Sequence, residues 1–215
     1  KQRTSVLCSA QKPEVESSNE PFGKRLKPKG AENLSRPIKT VFFVGIDLAW
    51  SEKNNSAISV IKAEKEKGEL KYFNSRIKTN EEIVDWVISK IKNSWALIAI
   101  DAPLVVPNEN GIRVADKLTT KLFRKYNAGT HPANRNCLGR YGGLRGEALA
   151  NLFEKHGYKH NPYIKPRRKV KAIIEVYPHP AIVVLFNLSK IIQYKARKGR
   201  DYKLGGMNLR DCKII

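Results

Sequence analysis

A mixed α/β fold is what this sequence predicts: a sheet that starts as three antiparallel strands and continues as parallel strands with crossover helices, carrying a basic helical insertion. Three observations predict it. The run VFFVGIDLAW is too continuously apolar for a half-exposed strand and reads as central in a sheet, and WALIAI reads as a second buried strand. SAISVIKAE and ELKYFNSRI are joined by KEKG, a short charged connection in which Gly68 marks a hairpin. Between these strands, Ile83, Val84, Val87, Ile88 and Ile91 recur at helical spacing.

Taken in order, residues 1–39 hold Pro13, Pro21, Pro28 and Pro37 among Ser, Glu and Lys with no sustained period, which predicts a disordered basic arm. The folded domain is expected over 40–215. After the hairpin, Thr79 is placed to cap a helix whose first turn carries Glu81 and Glu82, and which runs to about Lys92. WALIAI follows and stops at Asp101, where Ala102 and Pro103 end it. GIRVADKLTTKLFRKYN and GGLRGEALANLFEKHG read as two further helices, the latter closed by Gly157. KAIIEVY returns as a strand, and PAIVVLF starts a last helix. This order of elements matches that of the ribonuclease H-like fold.

Composition bounds the function. With 41 Lys+Arg against 20 Asp+Glu the net charge is +21, which favours a polyanionic partner, DNA or RNA, and says nothing about fold. At 215 residues one core is expected. No run approaches the roughly 18–20 apolar residues of a membrane span, and the N-terminus lacks the apolar stretch of a secretory signal, so a cytoplasmic protein is expected. Cys8, Cys137 and Cys212 are odd in number and too scattered for a CxxC metal site, which predicts reduced cysteines. Walker A, GxSxG and HExxH patterns do not occur.

Three carboxylates sit on or at the ends of the apolar runs: Asp47, Asp101 and Glu175. An acid beside buried strand residues is costly unless its charge is compensated, so the strand ends are expected to gather these acids around a cation. Phosphodiester hydrolysis needs an activated water and a stabilised leaving alkoxide, and two divalent ions about 3.5–4 Å apart provide both. Mg²⁺ or Mn²⁺ is the expected cofactor, because such ions take oxygen ligands and keep several waters.

The segments GIDLAW, AIDAPL, Arg113–Asp116, GRYGGLRGEAL and EVYPHPA, with Tyr194 and Lys195 beyond them, resemble the DUF429 family of predicted ribonuclease H-like nucleases, from about Val41 to the C-terminus. The resemblance implies Asp47, Asp101 and Glu175 as the acidic, metal-binding and catalytic set, with Asp116 as a further metal candidate. In nucleases of that fold another acid comes from a late helix. Here Asp201 or Asp211 would have to serve, unless the domain is truncated and that acid lies beyond Ile215.

Plainer readings stand beside these. Asp101 before Ala-Pro suits a turn, Glu175 suits the solvent face of an edge strand, and Asp116 suits a helix-surface acid paired with Arg113. From Lys117 to Lys171 fourteen Lys and Arg face only Glu147 and Glu154. That stretch reads either as a solvated basic face or as a phosphate-binding surface beside the acids, with Arg140, Arg145, Arg167, Arg168 and Lys169 as its nucleic-acid contacts. His179, close to Glu175, suits a structural cap or a group that orients a phosphate or transfers a proton. The leading expectation is a divalent-metal-dependent nuclease or phosphodiesterase. A noncatalytic nucleic-acid-binding module and an ATP-handling protein of the actin and sugar-kinase kind are the alternatives.

Overall fold

The computed structural model describes residues 40–64, 67–166 and 168–192, together with the backbone of 203–204 and 207–208. The expected arm over 1–39, Arg167, Tyr194, Lys195, Asp201 and Asp211 lie outside the described residues.

The chain forms a six-strand mixed sheet with helices. The strands are β1 (Val41–Asp47), β2 (Ser56–Glu64), β3 (Lys67–Ile77), β4 (Ala96–Ile100), β5 (Lys159–His160) and β6 (Lys171–Glu175). Their spatial order is β3-β2-β1-β4-β6-β5. The first three pair antiparallel, whereas β1 with β4, β4 with β6 and β6 with β5 pair parallel. The helices are α1 (Asn80–Ile91), α2 (Val114–Phe123), α3 (Arg135–Gly139), α4 (Arg145–Glu154) and α5 (Pro178–Leu185), and a 3₁₀ turn, Arg124–Tyr126, extends α2. A separate two-strand pairing joins β7 (Lys203–Leu204) to β8 (Met207–Asn208).

One face of the sheet carries the core. Val44 and Ile46 of β1, Ile58 and Val60 of β2, Ile98 and Ile100 of β4 and Ile173 of β6 are buried, as the two-residue period of a strand requires. They share a cluster with Ile83, Val84, Val87 and Ile91 of α1 and with Leu149 and Phe153 of α4. Each such side chain contributes about 1.5–3 kcal/mol on leaving water. The start of α1 is fixed by a capping box: Thr79 accepts from the Glu82 amide at 3.1 Å, and the Glu82 carboxylate accepts from the Thr79 amide at 3.1 Å. The Thr79 and Lys78 amides, both donating to the Glu82 carboxylate at 3.1 Å, also hold that carboxyl below its usual range. The helix ends at Lys92 in the left-handed region, φ 49°.

Two expectations need correction. Gly68 lies inside β3 opposite Ala63, so the hairpin turns before it. The central position of β1 is as expected, but among the described residues its outer face is not covered: Phe43 is 44 % exposed, and Ile61 and Phe73 are also exposed on their strands. An apolar run reports that a strand is central without reporting that both faces are packed.

Candidate functional site

The parallel strands β1, β4 and β6 end side by side: Asp47 and Glu175 are the last residues of β1 and β6, and Asp101 directly follows β4. The ladder places Ile46 opposite Ile100 and Ile100 opposite Glu175. It continues one step further through the Asp101 amide, which donates to the Ile46 carbonyl at 2.9 Å, and the Val176 amide, which donates to the Ile100 carbonyl at 3.0 Å. Asp47 and Asp101 therefore stand at the same level on neighbouring strands. Glu175 is level with the buried Ile100, half a pleat out of step with the two aspartates. All three line one cavity of about 940 Å³, together with Arg113, Asp116 and Arg145. Ligands of α/β sheets bind at this end of the strands.

The loop after β4 is drawn tightly over the cavity wall. The Leu104 amide donates to Glu175 Oε2 at 2.9 Å, and the Val106 amide donates to Glu147 Oε1 at 2.7 Å. Against this loop packs the first turn of α4, where a Cβ added to Gly146 would lie 2.2 Å from the Pro103 carbonyl oxygen. Only glycine lets the helix approach so closely.

Arg113 is the electrostatic centre of the site. Its Nε and Nη2 donate to Asp116 at 2.9 and 2.8 Å, and its Nη1 and Nη2 donate to Glu175 at 3.0 and 2.7 Å. Nη1 also donates to the Val105 carbonyl at 3.0 Å, so all five N–H groups of the guanidinium are used. The side chains of Arg113 and Asp116 are 10 % and 6 % exposed, that of Glu175 31 %. Burial works against the charged form of Arg113, but the bonds to Asp116 and Glu175 outweigh it and raise its pKa above the ordinary arginine value. Asp116 is thus not the helix-surface acid of the plainer reading: the expected i,i+3 pair forms, but its carboxylate is buried and also accepts from the Ala133 amide at 3.2 Å. Nor is Glu175 on an edge strand, since β5 flanks β6.

Asp47 differs from these. Its residue is exposed toward the cavity, and among the described residues no donor bonds its carboxylate. Asp101 is half-buried beside it. His179 lines the same cavity, its ring edge-on to Tyr177 at 5.4 Å, and the Tyr177 hydroxyl donates to the Gly129 carbonyl at 3.0 Å. Among the described residues, no group of three or more His, Cys, Asp or Glu side chains is arranged to hold a metal ion. The geometry brings together two aspartates at one level, with Glu175 committed to Arg113.

The expected nucleic-acid contacts separate in space. Arg140 is exposed just after α3. Arg145 lines the cavity, yet its donors hold the framework: Nη1 to the Ala49 carbonyl at 2.7 Å, Nε to Asn80 Oδ1 at 2.9 Å and Nη2 to the Lys78 carbonyl. Burial lowers its pKa from the ordinary arginine value. Arg168 and Lys169 are exposed but precede β6, whereas Glu175 ends it, so a strand length of about 17 Å separates them from the acids. The expectation that they lie beside the acidic site is corrected, because the basic loop and the acids sit at opposite ends of one strand.

Sequence reasoning identified Arg113 only as a partner for Asp116. Its bond to Glu175 spans 62 residues and carries no local signal. Arg145 was chosen for its charge, while its structural bonds to the loop after β1 and to the start of α1 were not legible.

The fold is of the mixed α/β class, with acids at the ends of its central parallel strands. The chain belongs to the family described as a protein of unknown function (DUF429), which matches residues 45–210. No curated protein and no solved structure matches the chain. Among the described residues no helix is long and apolar enough to cross a membrane.

Proposed function

We propose that the cavity is the active site of a divalent-metal-dependent nuclease or phosphodiesterase with a ribonuclease H-like fold. The observation that carries this reading is the pair Asp47 and Asp101, level on neighbouring parallel strands and open to one cavity. The fold assignment is supported by the order β3-β2-β1-β4-β6, with the antiparallel triplet first.

The residues present suit Mg²⁺ or Mn²⁺. A magnesium site needs only one or two carboxylates, since waters and substrate phosphate complete the octahedron. Asp47 and Asp101 would hold the ion, and Glu175 would join them only when Arg113 yields one of its oxygens. When bound, a divalent ion supplies the positive charge that activates a water and stabilises the leaving alkoxide. The chain's own part is positional. Arg113 keeps Glu175 and the loop after β4 in place, which fixes Asp101, and Gly146 lets α4 close that wall. His179 is in position to exchange a proton at the cavity edge. Nucleic acid is the substrate class favoured by the charge of +21.

The test is cleavage by the full chain of single-stranded, duplex, hybrid and branched nucleic acids with Mg²⁺ or Mn²⁺. Asp47→Asn keeps the size and removes the charge, so it is expected to abolish cleavage and leave binding intact. Wild-type cleavage by Asp47→Asn, or no cleavage of any substrate, would overturn the enzyme reading. Binding without cutting would point to a noncatalytic module, and ATP hydrolysis without nucleic acid to a kinase-like one.

A further inference from the structure

Beside the acidic cavity lies a second hollow of about 750 Å³, and the two share Trp50 and His131 in their walls. Trp50 comes three residues after Asp47, on the loop between β1 and β2. Tyr141 stands opposite, on the turn between α3 and α4. Their ring centroids are 5.6 Å apart with an interplanar angle of 50°, and the residues are 50 % and 51 % exposed. Large aromatic rings that face water lose the burial that ordinarily places them in a core. The tilt leaves ring surface of both outside the pair.

The turn that presents Tyr141 is built for the purpose of a sharp return. The Leu138 carbonyl accepts from the Tyr141 amide at 3.0 Å and from the Gly143 amide at 3.3 Å. Gly142 and Gly143 adopt φ 111° and 108°, which only glycine takes without strain. The floor of the hollow is apolar through Ile112 and Pro132, with Asn134 contributing a polar side chain.

We infer that this hollow is a stacking site for an unpaired nucleobase of the strand whose phosphate enters the acidic cavity. Aromatic faces receive any base, whereas a base locked in a duplex cannot reach a pocket of this kind. On the nuclease reading a metal-held phosphate occupies the acidic cavity, and the adjoining apolar and aromatic hollow then suits the flat group next to that phosphate, as in a nucleotide. The proposal rests on the nuclease reading for that phosphate, and it specifies single-stranded over duplex nucleic acid as the substrate class.

The test needs no metal, so it can fail separately. In the full chain, Trp86→Phe and Trp95→Phe leave Trp50 as the only one of the three tryptophans. This protein is titrated, without divalent ions, with a short single-stranded oligonucleotide, its abasic counterpart of equal charge, and the duplex. The base-bearing strand is expected to quench Trp50 fluorescence and to bind about tenfold more tightly than the abasic strand. Read in the otherwise wild-type chain by the anisotropy of a dye-labelled oligonucleotide, Trp50→Ala should remove that tenfold preference and leave abasic binding unchanged, while Trp50→Phe should keep most of it. Tyr141→Ala, on a different loop, is expected to weaken the preference too and covers the case in which Trp50→Ala fails to fold. Equal affinity of the wild type for base-bearing and abasic strands would overturn the inference, as would tighter binding of the duplex. Base-dependent binding by a protein that cuts nothing would support the stacking site and remove the nuclease reading alone.

Discussion

The same three strands, β1, β4 and β6, begin and end in different chemistry. At their starting end two polar side chains are settled within the chain: the Tyr158 hydroxyl donates to the Ser94 carbonyl at 2.7 Å, and Lys171 Nζ donates to Asn93 Oδ1 at 2.8 Å. At their finishing end four carboxylates surround one cavity, and Arg113 neutralises only Asp116 and Glu175. The finishing end is tied together on its Arg113 side and exposed on its Asp47 side, which is where the proposed function would place a cation.

The largest effect is expected from breaking the closed part of the finishing end. Arg113→Met leaves Asp116 buried and Glu175 half-buried without their counter-charge, and should cost about 3–5 kcal/mol of stability, read as a lowered urea midpoint. Arg113→Lys should fall in between, because an ammonium keeps the charge but not the five-donor fork. If Arg113→Met unfolds at the wild-type midpoint, the guanidinium is not the tie that the geometry indicates.

A smaller effect is expected at the starting end. Burial pushes the Tyr158 phenol up to about 12, from its ordinary value of 10.0. The unfolded chain therefore loses this proton first as the pH rises. The contribution to stability is whole below pH 10 and is lost as the pH climbs toward 12, by an amount on the order of 2 kcal/mol. Tyr158→Phe should flatten that part of the alkaline stability curve. A curve of the same steepness in Tyr158→Phe would place the alkaline loss elsewhere.

How much was legible in the sequence follows the range of the forces involved. α1 could be read almost to the residue, because capping by Thr79 and the stripe from Ile83 to Ile91 are local. Asp47, Asp101 and Glu175 were legible because each interrupts an apolar run, and the structure brings them to one cavity. The short helix α3 and the two-residue β5 were missed, since neither is long enough to establish a period. The half-pleat offset of Glu175 depends on strand register, and register is a property of pairing rather than of either strand alone. Arg168 and Lys169 were expected beside the acids because the basic stretch from Lys117 to Lys171 was read as one surface, although an extended strand carries its two ends apart.

The most direct test of the open Asp47 side is Mn²⁺ binding followed by electron paramagnetic resonance, in which the signal of the free ion falls as it is taken up. Wild-type protein is expected to take up Mn²⁺, and Asp47→Asn to bind it at least tenfold more weakly with its urea midpoint unchanged. Equal uptake by the two proteins, or no uptake by either, would contradict the account.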